Sequence, residues 1–171
     1  GYYALIENVD DNLGRIRAAL REEDLDLDTH ILFFSDHGDM HGSHGMFRKT
    51  NPFEEAIRIP FIIGGEVPMG YQNRACGCTK SVINHVDIAP TTLGLCGIDA
   101  PEWMRGYDYS FEREPAERTP KGSVREEAYL QSVIPTRHDH SIDKPWRGIV
   151  TRDGYKYVCT DNSDWLMFDL N

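Results

Sequence analysis

The sequence predicts an α/β fold that ends in a small antiparallel sheet. Two observations lead to it. Near the start, a helix-period segment precedes a continuous apolar run and then a polar loop. Near the end, strand-like runs flank Arg152, Asp153 and Gly154, which is a hairpin signal. At 171 residues, the chain is long enough for one domain with a sizeable core.

The elements follow in order. Leu5, Val9, Leu13, Ile16 and Leu20 share one helix face, while Asp10, Asp11, Arg15, Arg17 and Arg21 fall off it. The polar run "REEDLDLDTH" ends that helix. "ILFF", from Ile31 to Phe34, is continuous and apolar, as in a strand covered on both faces. "SDHGD" reads as the loop at its carboxyl end, where open α/β sheets collect ligands. "IRIPFIIGG", from Ile57 to Gly65, predicts a second apolar strand stopped by glycines, and the segment from Gly65 to Lys80 reads as loop. "VDIAPTTLGLCGI" predicts a short helix with Asp87 as N-cap, Pro90 near its start and Gly97 at its end. The stretch from Asp99 to Ser123 is rich in proline, glycine and charge, and reads as an exposed connection. It places a boundary near residue 118, with 119–171 as a small antiparallel subdomain. "EEAYLQSVI", "WRGIVTRDGYKYVC" and "WLMFDL" supply its strands.

Charge narrows the function classes. Lys and Arg total 18 against 28 Asp and Glu, a formal net charge of -10. A general nucleic-acid binder needs a basic face, so that class is excluded. An anionic substrate would need a locally positive pocket or a metal ion. No apolar run approaches a membrane span. No basic-then-apolar leader opens the chain, which begins instead inside a helix pattern. That predicts a piece of a longer protein. Cys76, Cys78, Cys96 and Cys159 fit neither a zinc site nor a disulfide framework, and leave the compartment open.

The chemistry-bearing stretch is "FFSDHGDMHGSHGMFRK". Asp36 and His37 come straight off a rigid strand, as suits metal ligands. The other reading is a turn-capping aspartate beside an exposed histidine, and residue types alone leave both open. Lys49 is a point charge for an anionic group, or a solvated lysine. His41 and His44 are ligands, acid/base groups or loop residues, and no HExxH-type spacing favours ligation by His41. Glu54 and Glu55 with Arg58 read as a helix-turn ion pair. His138 and His140 fall in a loop.

Several motifs, in order, resemble one family. "SDHGDMHGSHGMFRKTNPFEEAIRIPFII", "VDIAPTTLGLCGIDAPEWMRGYDY", "RGIVTRDGYKYV" and "WLMFDL" closely resemble the second half of the sulfatases, in the alkaline phosphatase superfamily. "YYALIENVDDNLGRI" looks like the helix before the site strand. The resemblance implies a partial alkaline-phosphatase-like sheet with helices, residues 1–118 being the C-terminal part of that core. It implies that Asp36 and His37 ligate a divalent cation, usually calcium (Ca2+) in the family. Histidine is an unusual calcium ligand, which leaves room for another divalent metal. Lys49 matches the lysine that contacts sulfate. His44 matches a loop histidine, although Ser43 stands where aspartate is common. Lys49 and His44 are therefore the catalytic candidates, with His138, His140 and Trp146 as a candidate substrate-facing rim.

The family nucleophile is a cysteine or serine in C/S-x-P-x-R, converted to formylglycine, and no cysteine here stands in that pattern. The resemblance therefore implies a fragment of a sulfuric ester hydrolase, inactive alone, with its nucleophile in an N-terminal half. The expected partner is a sulfate ester, above all a sulfated carbohydrate, and localisation stays open, a periplasmic or secreted parent being one option. One alternative is a phosphonate monoester or phosphodiester hydrolase of the same superfamily. Another is a non-catalytic anion- or carbohydrate-binding module. Strand edges and apolar faces without partners predict either self-association of the segment or a remainder of the protein that covers them.

Overall fold

The computed structural model describes residues 1–65, 77–112, 125–133, 139, 142 and 144–171. The expected boundary near residue 118, and His138 and His140, lie outside these residues.

Helix α1 spans Tyr2–Glu22 and is followed by strand β1 at Ile31–Phe34. The helix closes where Leu25 N donates to Leu20 O at 2.8 Å. After a short helix α2 at Glu54–Ile57, strand β2 at Phe61–Gly64 pairs antiparallel with β1. Phe34 stands opposite Phe61, so the loop from Ser35 to Pro60 leaves and returns at one end of the sheet. That end is the carboxyl end of β1, as the sequence predicts for the site.

Ile31, Phe33, Ile62 and Gly64 line one face of this ribbon, and across from them stand Ile6, Val9, Leu13 and Arg17 of α1. An apolar groove of about 330 Å³ separates the two layers. No α1 residue is buried, and Phe34 and Ile62 are exposed. Among the described residues the expected two-sided cover of "ILFF" is therefore absent. One helix beside a two-stranded ribbon cannot supply it.

Two further corrections concern local structure. Ile57 ends α2 instead of opening a strand, and β2 begins only after Pro60. Asn51 Oδ1 accepts from Phe53 N at 3.1 Å and starts this turn, and Glu54 and Glu55 suit its positive amino end. Asp87 does not cap the next helix, α3 at Ile88–Leu95, through its side chain. It is fully buried, and its carboxylate accepts from Asn84 N at 2.8 Å and Tyr107 N at 2.7 Å. Arg125 Nη1 lies 3.3 Å from it. A buried carboxylate needs such partners, and gathering them ties three segments together. Gly97 closes α3 as expected, at φ +73°.

Strands β3 (Glu127–Ser132), β4 (Trp146–Thr151), β5 (Tyr155–Thr160) and β6 (Ser163–Asp169) form one antiparallel sheet in chain order. The Arg152–Gly154 turn joins β4 and β5 as predicted, with Gly154 at φ +90°. Alternation turns Trp146 and Gly148 of β4 inward, with Lys156 and Val158 of β5. Trp146, Lys156 and Phe168 meet the segment from Thr50 to Glu54. The sheet thus packs against the loop that follows Lys49.

Candidate active site

Asp36 and His37 begin the loop where β1 ends. His37 N donates to Asp36 Oδ1 at 3.0 Å, and Ser35 Oγ donates to His37 O at 2.7 Å. Gly38 N donates to Ala56 O at 2.9 Å. A Cβ on Gly38 would stand 1.8 Å from Glu55 O, so this crossing admits only glycine.

The His37 ring has a defined tautomer. Nδ1 lies 2.8 Å from Gly38 O, an acceptor, so Nδ1 carries the proton. That leaves Nε2 as acceptor, and Lys49 Nζ donates to it at 2.6 Å. Asp36 Oδ2 is 3.3 Å from the same Nε2. Two lone-pair donors thus converge beside an ammonium group. Slight desolvation pushes the Asp36 carboxyl up. The charge of a protonated His37 ring, the backbone N–H groups of Asp36 and His37, and Lys49 outweigh this and hold it below its ordinary value. Asp36 is exposed, so the carboxylate is ionised and accessible.

The segment after Lys49 is held tightly. Thr50 has φ +75°, an outlier for a β-branched residue. Its hydroxyl donates to Lys49 O at 2.5 Å, and its carbonyl accepts from Trp146 Nε1 at 3.0 Å. Trp146 is only 3 % exposed. It packs behind the loop, which corrects the expectation of a substrate-facing rim: a buried indole committed to a backbone carbonyl has no open face. Lys156 donates to Pro52 O at 2.8 Å and to Glu54 Oε1 at 2.7 Å, and it lies 4.7 Å from the Phe168 ring centre. Glu54 therefore pairs with Lys156 and not with Arg58, which is exposed.

His44 adopts φ +55° and stacks on Phe53, with ring centres 4.2 Å apart. The Glu55 carboxyl is lowered first by its own backbone N–H, against a smaller upward push from burial. The Ser43 hydroxyl, His44 and Lys156 lower it further. His41 pairs with Asp39 at 3.4 Å and packs on Tyr2, in keeping with its reading as a loop residue. Sequence reasoning missed His85 as a neighbour of this loop: its Nε2 lies 3.2 Å from Ser35 O. It missed Lys156 and Thr50 as well. The inward register of Lys156 beside Val158 was a usable signal, while nothing in the sequence marks Thr50.

This fold is that of the alkaline-phosphatase-like enzymes. A family model for sulfatases matches residues 1–98, more than half of the chain, and the chain belongs to the sulfatase family. An ulvan-active sulfatase from Formosa agariphila is 30% identical over 171 residues, covering 99% of this chain and 32% of that protein. The chain thus spans about a third of its length. The structure of BT4656 in complex with its substrate D-glucosamine-2-N,6-O-disulfate is similar at a TM-score of 0.68. It is 30% identical over 96% of this chain and 32% of that one. Phosphonate monoester hydrolase of Agrobacterium radiobacter is similar at a TM-score of 0.75 and 26% identity, covering 99% of this chain and 34% of that one. These likenesses extend the match beyond residue 98 and bear out the expected fold.

The family implies a divalent cation at this strand end. Asp36 Oδ2 and His37 Nε2 fit as two ligands of one ion. Among the described residues no group of three His, Cys, Asp or Glu side chains gathers, so these residues supply part of a shell.

Proposed function

We propose that this chain supplies the metal- and sulfuryl-binding wall of a sulfuric ester hydrolase. One observation carries the reading. At the end of β1, Asp36 Oδ2 and His37 Nε2 stand 3.3 Å apart, with Lys49 Nζ 2.6 Å from Nε2. Two lone pairs suited to a cation, beside one positive charge, support the reading that a sulfuryl group is held here.

When bound, a divalent cation would supply Lewis-acid stabilisation of charge on the sulfuryl oxygens. Asp36 stays ionised and provides the hard oxygen ligand. The His37 Nδ1–H bond to Gly38 O selects the tautomer of the neutral ring whose Nε2 lone pair faces Asp36 and Lys49, and it fixes the ring's orientation. Lys49 turns its donors to the sulfuryl oxygens and stabilises them as negative charge develops. His44, exposed on the same loop, is the candidate proton donor to the leaving alcohol. The formylglycine nucleophile is assigned outside residues 1–171, so this segment alone turns nothing over. A sulfated carbohydrate is the proposed substrate class, supported by the sulfated glucosamine held by the similar BT4656.

The second reading is a phosphonate monoester hydrolase, favoured by the likeness to the Agrobacterium enzyme at a TM-score of 0.75. The full-length protein should be assayed with an aryl sulfate and an aryl phosphonate monoester. Higher kcat/KM on the sulfate is expected. Preference for the phosphonate would favour the second reading, and turnover of neither would favour a binding module.

A further inference from the structure

We propose that Trp146, assisted by Lys156, is a positioning residue that sets where Lys49 points. The proposal rests on the reading of Lys49 as the group that meets the sulfuryl oxygens. Both side chains come from the C-terminal sheet and are nearly inaccessible, at 3 % and 1 %. Trp146 Nε1 donates to Thr50 O at 3.0 Å across 96 positions, and Lys156 Nζ donates to Pro52 O at 2.8 Å across 104. Asn51, between these carbonyls, is buried. The chain immediately after Lys49 is thus pinned by two donors from a distant part of the sequence.

The backbone needs that restraint. Thr50 sits at φ +75°, where its β-branched side chain is strained. Such a conformation persists only where its surroundings impose it. Loss of the indole N–H lets residue 50 relax toward negative φ. The Lys49 carbonyl, which accepts the Thr50 hydroxyl, turns with it and moves Nζ relative to the Asp36–His37 pair, where the sulfuryl group is held in this reading. A displacement of about an ångström at a charge-stabilising group costs roughly tenfold or more in rate.

The test is a double-mutant cycle in the full-length protein with 4-nitrophenyl sulfate. Trp146→Phe keeps the ring and removes the N–H. Its kcat should fall about tenfold with KM changed less than about twofold, and in a Lys49→Ala background the same change should cost less than about twofold. An equal loss in both backgrounds, or wild-type kcat for Trp146→Phe, would overturn the proposal. Wild-type kcat for Lys49→Ala would instead remove the role of Lys49, and this proposal with it. A readout that needs no variant is hydrogen exchange at the Trp146 indole. Protection is expected, and exchange at the rate of an exposed indole would contradict the bond to Thr50.

Discussion

Thr50 and Lys49 are neighbours with different constraints, one of conformation and one of charge. Glycine tolerates φ +75°, so Thr50→Gly should raise stability by about 1 kcal/mol in denaturant unfolding, despite the lost hydroxyl bond. A clear loss of stability would mean that the Thr50 contacts outweigh the strain. Lys49→Ala should lower kcat for an aryl sulfate by about a hundredfold or more, the usual size of a lost charge-stabilising donor. His44→Ala at unchanged kcat would remove His44 as proton donor. That Asp36, His37 and Lys49 come together was legible in the sequence because they sit in one ordered stretch beside a strand. Trp146 was not, since an aromatic residue on a strand reads equally as rim or core. Only the 3.0 Å bond to Thr50 O decides it.

At the scale of elements, the contact between the C-terminal sheet and the site loop concentrates in a few polar groups. Lys156 is 1 % exposed and neutralised by Glu54, whose side chain is 34% exposed. Lys156→Met should destabilise by about 2–3 kcal/mol in denaturant unfolding, less than for a fully buried pair because water reaches Glu54. A change under about 0.5 kcal/mol would mean that the pair is not formed in solution. Gly38→Ala meets Glu55 O at 1.8 Å and should cost more than about 3 kcal/mol or prevent folding, read from the melting transition. Strands β4 and β5 were legible because alternation and a glycine turn agree. Ile57 was not, because an apolar run carries no mark of where a short helical turn gives way to strand. The Asn51 bond to Phe53 N decides that locally. Asp87 misled for a similar reason: residue type and position suit an N-cap, while partners as distant as Tyr107 and Arg125 draw the carboxylate inward.

Taken whole, the described residues leave an apolar face without a layer. Leu5, Ile6, Val9, Ile16 and Ile62 are exposed, and a groove of about 330 Å³ runs between α1 and the β1–β2 ribbon. Exposed apolar surface of this kind drives association, so the isolated segment should sediment as an oligomer. A monodisperse monomer would contradict that. The fold class was legible from ordered motifs along the chain, whereas the cover of this face depends on contacts that these residues alone do not supply. The central claim is the proposal that Asp36 and His37 share one cation at the strand end. Calorimetric titration of the full-length, metal-stripped protein with calcium and with manganese tests it most directly. Wild type should bind one of these ions at this site, with Asp36→Ala and His37→Ala each weakening it at least about tenfold. Equal binding by wild type and Asp36→Ala would contradict the account.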